Sequence, residues 1–338
     1  MKQILVLLLL ITFIQCTGNP KTQEKLENQA EIAAFIREPP GDLPVTSFPE
    51  IWGYVIAGQE AALRRGLPIT DVGYFGAEVD TYGKLSKVPN RNNLSSFPGR
   101  VHLTVTCFSY PLTYFVLLPG SQQRRELIAD LVAASANFDG LNIDFENIPV
   151  RAEASFISFI RELQRELPKD KIFSICLYGR IRANPNDVYD YIKYVPYVDK
   201  VFVMAYDEHW STSRAGPVSS IGWSRNVAEY SLRVVGHEKL VMGIPFYGRA
   251  WVDHNHHRAL VYSSTERLIN THNVKDIRRD NGIPTFDYTA SVNVKVFYED
   301  EYSLSTRFEM YKSMGVRAIG FWRVGQETPR AWNILEIE

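Results

Sequence analysis

An α/β fold closed into a (β/α)8 TIM barrel is what the sequence predicts, on three observations. Eight short apolar runs, rich in β-branched and aromatic residues, recur between Ile51 and Trp322. Amphipathic stretches with helical spacing separate several of them, which is the rhythm of a parallel sheet. The segment that carries them is close in size to the ~250 residues typical of such a barrel.

Ahead of the barrel, Lys2 precedes the apolar run Ile4 to Ile14, and Cys16 follows it. That run is shorter than the ~20 residues a membrane-spanning helix needs and has the shape of a secretory signal. Cys16 resembles a bacterial lipoprotein acceptor cysteine, although Phe13, Ile14 and Gln15 depart from the usual small-residue box before it. An ordinary cleaved signal with an incidental Cys16 is the other reading. Residues 1–16 are therefore expected to direct export, and residues 17–49, polar and carrying Pro39-Pro40, to form a tether.

The barrel is expected over residues 50–338. Its strands are IWGYVI from Ile51, DVGYFG from Asp71, VHLTVTC from Val101, GLNIDF from Gly140, IFSICL from Ile172, KVFVMAY from Lys200, KLVMGIP from Lys239 and RAIGFW from Arg317. Helices are predicted from Arg124, Ala154 and Ser224. The stretch from Tyr247 to Val316 is too long for one crossover helix, so a small insertion is expected between strands seven and eight, at about residues 252–300.

Composition removes some classes of function. Lys and Arg number 37 against 38 Asp and Glu, with no basic cluster, so the electrostatic footprint of a nucleic-acid binder is missing. Cys107 and Cys176 sit in apolar strand runs and read as buried free thiols, too few for a disulfide framework. His209 and the group His254, His256 and His257 fit no standard zinc spacing and read as solvated loop. Phosphate-binding glycine loops and serine nucleophile elbows are absent from the sequence.

The run FDGLNIDFENIP, Phe138 to Pro149, is where chemistry concentrates. Strand alternation puts Asn142, Asp144 and Glu146 on one face and Leu141, Ile143 and Phe145 on the other. With the polar set toward the barrel axis, Glu146 falls at the C-terminal mouth, where barrels of this type keep their active sites. Two carboxylates there suggest acid catalysis on a glycosidic bond, with Glu146 as proton donor. Asp144 lies only roughly 6.6 Å along the same strand. Both groups would approach a sugar from one side, so the nucleophile must come from elsewhere, and the substrate's own 2-acetamido carbonyl is the candidate. The competing reading is a satisfied polar layer of a barrel core.

FDGLNIDFE also resembles the DGxDxDxE signature of family 18 glycoside hydrolases, the chitinase-like enzymes. MAYD at Met204 to Asp207, GIPFYGRAW at Gly243 to Trp251 and GFWRVG at Gly320 to Gly325 are similar to that family's later strands, in order. YDEHW from Tyr206, Gly216-Pro217 and FYEDEYSL from Phe297 look most like the branch of spore cortex-lytic and related bacterial N-acetylglucosaminidases that act on peptidoglycan.

The resemblance implies roles. Glu146 would protonate the leaving oxygen, Asp144 would hold the acetamido N–H, and Tyr206 would bind the acetamido carbonyl. Asn142, Met204, Asp207 and Trp322 would bind substrate, with Trp322 stacked under the sugar, and Asp139 would be a structural support. No metal or organic cofactor is implied, and the partner would be an N-acetylglucosamine-containing glycan, peptidoglycan or chitin-like, met by a monomer at the cell envelope. Asn142 stands where the commonest pattern has a carboxylate, so Asp144 lacks a charged neighbour beneath it and is expected to stay ionised over a wider pH range. Chitin, the chitobiose core of N-glycans and a non-catalytic sugar-binding barrel are the alternatives.

Overall fold

The computed structural model describes residues 42–184, 186–252, 262–280 and 283–338. The signal run with Cys16, most of the tether, and His254, His256 and His257 lie outside the described residues. Within them, Pro44–Glu338 forms one compact unit.

The unit opens on β1 (Thr46–Phe48), followed by β2 (Glu50–Ile56), β3 (Asp71–Val79), the short β4 (Leu85–Ser86) and β5 (Arg100–Cys107). Two helices, α1 (Tyr110–Val116) and α2 (Gln122–Ser135), lead to β6 (Gly140–Phe145). Then come α3 (Glu153–Glu166), β7 (Ile172–Tyr178), β8 (Lys200–Met204), α4 (Ile221–Val235) and β9 (Leu240–Pro245). Strands β2, β3, β5, β6, β7, β8 and β9, with β14 (Ala318–Trp322), pair in parallel, and the β2–β3 and β14–β2 pairings close the ring. All eight strands fall where the apolar runs place them. β8 ends at Met204 rather than Tyr206, because the Ala205 amide turns back to the Val203 carbonyl at 2.8 Å and Asp207 takes a positive φ of 57°.

Between β9 and β14 the chain makes β10 (Arg249–Val252), α5 (Tyr262–Thr271), β11 (Arg278–Asp280), β12 (Ile283–Thr285), β13 (Val294–Phe297) and α6 (Glu301–Ser313). The antiparallel pairs β10–β13 and β11–β12 make up the insertion that the length of this connection demands. Asp300 caps α6 through a reciprocal box with Ser303. Behind that cap, buried Arg307 bonds Glu299 at 2.9 Å and the Ser219 carbonyl at 2.6 Å, fastening the end of the insertion to the barrel wall. Among the described residues, the crossovers β2–β3, β3–β5 and β7–β8 hold short 3-10 turns and, in β3–β5, the two-residue β4, but no α-helix, in segments broken by Gly66 and Pro68, by Gly83, Pro89 and Pro98, and by Pro196.

The barrel interior is aromatic. Trp52, Tyr54, Cys176, Phe202, Met204, Val241 and Ala318 form one buried cluster, with Phe75, Tyr206 and Trp322 packed on top of it. Glycine makes room for the rings: a Cβ on Gly73 would stand 2.7 Å from the Tyr54 ring, and one on Gly320 2.4 Å from that of Phe202. On the outer face of β6, Phe145 stacks against Phe156 and Phe159 of α3 at 6.3 and 5.8 Å. Strand alternation thus sends apolar side chains under the helix and the polar set inward.

One boundary needs correction. The tether expected to run to residue 49 ends sooner, since β1 pairs in parallel with β15 (Leu335–Ile337) and Phe48 is fully buried against the edge of Phe308, 6.5 Å between centroids. This two-stranded strap ties both ends of the folded unit together below α6. Phe48→Ala should lower the unfolding free energy by about 3–5 kcal/mol, read by urea denaturation; a loss below ~1 kcal/mol would show that the strap is not part of the cooperative core.

Candidate active site

The mouth of the barrel, at the C-terminal ends of its strands, holds a cleft of about 510 Å³. Asp144, Glu146, Met204, Tyr206, Asp207 and Trp322 all line it, together with Phe75, Phe108, Tyr178, Tyr247, Arg249 and Gln326. Six residues named from sequence therefore share one cavity although they come from β6, the end of β8 and β14.

Below the cleft lies a closed polar layer. Asn142, fully buried, accepts from the Tyr54 hydroxyl at 2.9 Å and donates its amide to Ser174 Oγ at 2.9 Å. Thr104 Oγ1 and Cys176 Sγ each approach its carbonyl oxygen at 3.4 Å. Asn142 is thus one layer too deep to touch a substrate, which corrects its expected binding role. Parity along a strand gives the face a side chain points to, not its depth. Asp139 sits at the opposite end of β6, where its Oδ2 accepts from the Val101 amide at 2.8 Å.

Asp144 stands directly above that layer, only 6% exposed, and its Oδ1 is buried without a hydrogen-bond partner. Burial, and then the charge of Glu146, push its carboxyl up to about 8, with a weaker opposing pull from the Cys176 thiol. This overturns the expectation of a persistently ionised Asp144. The neutral amide beneath it does remove one repulsion, but desolvation is the larger effect and Glu146 supplies a like charge from above. Glu146 is raised as well, by burial first and by Asp207, against a hydrogen bond from Tyr178 that lowers it. Two carboxyls two residues apart on one face of one cleft resist ionising together, so they titrate as a pair.

Across the cleft, Tyr206 meets Tyr247 edge-on at 6.1 Å. Asp207 is held by three donors: the Tyr247 hydroxyl at 2.7 Å and Arg249 through Nε at 3.1 Å and Nη2 at 2.7 Å. Trp322 is set by the edge-on ring of Phe75 at 4.9 Å and by Tyr54 at 5.5 Å. His209 bonds the Pro217 carbonyl through Nδ1 at 2.8 Å, a loop-shaping contact. The sequence reading missed Tyr178, Tyr247 and Arg249. The last two lie inside GIPFYGRAW, a run already singled out, so a signal was present; Tyr178, one residue past the run IFSICL, carried none.

A barrel whose mouth holds two neighbouring carboxyls with raised pKa values, a tyrosine and an aromatic wall defines a glycosidase-type site. Residues 101–327 match the model of glycosyl hydrolases family 18, and the chain belongs to that family. It is 28% identical over 214 residues to the uncharacterized glycosylase YvbX of Bacillus subtilis (strain 168), covering 60% of this chain and 62% of that one. To the cortical fragment-lytic enzyme of the same organism it is 27% identical over 301 residues, 82% of this chain and 69% of that protein. The fold is that of the Bacillus cereus spore cortex-lytic enzyme SleL, with a TM-score of 0.69 at 22% identity over 89% of this chain and 76% of that one.

The raised Asp144 has a consequence for stability. Its folded carboxyl keeps its proton to about 8, whereas an unperturbed one releases it near 3.8. Its favourable share is therefore whole at acid pH and is lost as pH climbs toward 8. Relative to Asp144→Asn, which mimics the protonated form, the wild type should lose unfolding free energy steadily from about pH 4 to about pH 8. Denaturant titrations across that range check this, and a pH-independent difference would refute the buried, protonated carboxyl.

Proposed function

We propose that the protein is a retaining β-N-acetylglucosaminidase that cleaves peptidoglycan through its substrate's own acetamido group. The observation that carries this reading is the placement of Asp144 and Glu146 on one strand and one face, with no carboxylate lining the cleft that faces them as a nucleophile would: Asp207, the remaining acid, is engaged by Tyr247 and Arg249. An enzyme nucleophile is thereby lacking, and the acetamido carbonyl takes its place.

In this scheme Glu146 gives its proton to the glycosidic oxygen as the C1–O bond breaks, and the acetamido oxygen closes on C1. Asp144 receives the acetamido N–H on its unpartnered oxygen. That hydrogen bond favours the ionised form of Asp144, so substrate binding itself places the shared proton on Glu146, where it is needed. Tyr206 orients the carbonyl from the opposite wall, and Trp322 offers an aromatic face to the sugar. Water then opens the ring intermediate, returning a proton to Glu146 and leaving the configuration at C1 retained. The proton transfers and the orientation of the sugar are provided by side chains of the cleft, the nucleophile by the substrate and the second step by water.

The choice of peptidoglycan is supported by relatives named cortical fragment-lytic and cortex-lytic enzymes. It is also supported by the leader, whose Lys2, apolar run and Cys16 suit export and lipid attachment at the cell envelope, with residues after Cys16 as a spacer. Incubating purified peptidoglycan with the protein should release fragments ending in reducing N-acetylglucosamine, seen by mass spectrometry. Glu146→Gln should reduce release by at least ~100-fold while glycan binding persists. Release from chitin oligomers or N-glycans alone would move the substrate assignment, and binding without release from any of them would make the barrel a sugar-binding protein.

A further inference from the structure

One contact to the proton donor comes from outside the β6 motif. Tyr178, the last residue of β7, donates its hydroxyl hydrogen bond to Glu146 Oε2. The Tyr178 ring is itself fixed, meeting Tyr189 edge-on with centroids 4.8 Å apart at 74°. Tyr189, buried, accepts the backbone N–H of Ile148 on its hydroxyl at 2.8 Å. Ile148 lies two residues beyond Glu146 on the same chain segment. A closed circuit therefore runs from Glu146 along the backbone to Ile148, across to Tyr189, through the ring contact to Tyr178 and back to the Glu146 carboxyl.

The geometry has two chemical consequences. With Oε2 engaged as an acceptor, the transferable proton resides on Oε1, so the circuit selects which oxygen acts as acid. A neutral phenol donating to a carboxylate also favours its ionised form, opposing burial and Asp207. Other groups face Glu146 too: Asp144 from its own strand, Cys176 from β7, and Tyr206 and Asp207 from the turn after β8. Among the described residues, Tyr178 is the side chain that donates a hydrogen bond to its carboxyl.

We infer that Tyr178 is a positioning residue of the general acid, fixing the Glu146 carboxyl so that Oε1 presents its proton to the glycosidic oxygen. The inference rests on the acid role of Glu146 proposed above. Tyr178 keeps its own proton throughout. When Oε1–H passes its proton to the leaving oxygen, the new carboxylate is stabilised at Oε2, and the same bond holds Oε1 in place to take a proton from the attacking water.

The test is Tyr178→Phe, which deletes one oxygen from a partly exposed side chain. A ¹³C-carboxyl NMR titration, assigned by comparison with Glu146→Gln, should show the Glu146 midpoint rising by about one pH unit. The basic limb of kcat/KM should move up with it, and kcat should fall on the order of 10-fold with KM little changed. A titration midpoint and pH profile that match the wild type, whatever happens to stability, would overturn the assignment. Should that variant fail to fold, Tyr189→Phe, which removes the acceptor for Ile148 but leaves the Tyr178 hydroxyl, should raise the midpoint in the same direction; no shift would equally refute the circuit. The titration needs no substrate, so it decides the Tyr178 contact even where no glycan is cleaved, an outcome that would instead count against the proposed function.

Discussion

The burial of one carboxyl, Asp144, is the constraint on which the rest of the site depends. An isolated carboxylate cannot be taken out of water without a large cost, and here that cost appears as a carboxyl pushed up to about 8. Asp144 can be held there because the layer beneath it, Tyr54, Asn142 and Ser174, satisfies its own hydrogen bonds and makes no demand on the Asp144 oxygens. One of those oxygens is left buried and unpartnered, on a residue that lines the cleft. An unpaired buried acceptor is costly in the free protein and ready for a donor such as a sugar's amide.

The same constraint explains why Glu146 needs help. It shares the cleft with Asp144, so its proton is coupled to a neighbour two residues away. In the proposed scheme the Tyr178 contact and the fixed Asp207 triad divide the labour: one would hold the acid, the other keeps a third carboxylate tied to Arg249. The barrel supplies rigidity for this. Its aromatic interior, from Trp52 to Met204, is continuous with the Phe75, Tyr206 and Trp322 surfaces that wall the cleft.

Much of this was legible in the sequence. The eight strands are dense in β-branched and aromatic residues and bounded by turn residues, and each lies where its run predicts. Asp144, Glu146, Tyr206 and Trp322 share a cleft because strand parity and strand ends fix both face and height at the mouth. What stayed hidden depends on distance in space rather than in sequence. Phe48 finds its partners at the far end of the chain, Asn142 belongs to a buried layer no pattern announces, and Tyr178 meets Glu146 from a different strand, its ring packed edge-on against Tyr189. The ionisation of Asp144 was misread for the same reason: neighbouring charges can be read along a strand, but desolvation requires the packed structure.

The central claim is that the missing nucleophile is the substrate's acetamido oxygen. The most direct measurement is kcat/KM across substrates whose N-acetyl group carries none, one, two or three fluorine atoms, with the anomer first released followed by ¹H NMR. A steep fall in rate as the carbonyl becomes less nucleophilic, with retained configuration throughout, is the predicted result. A flat dependence, or release of the inverted anomer, would contradict the account.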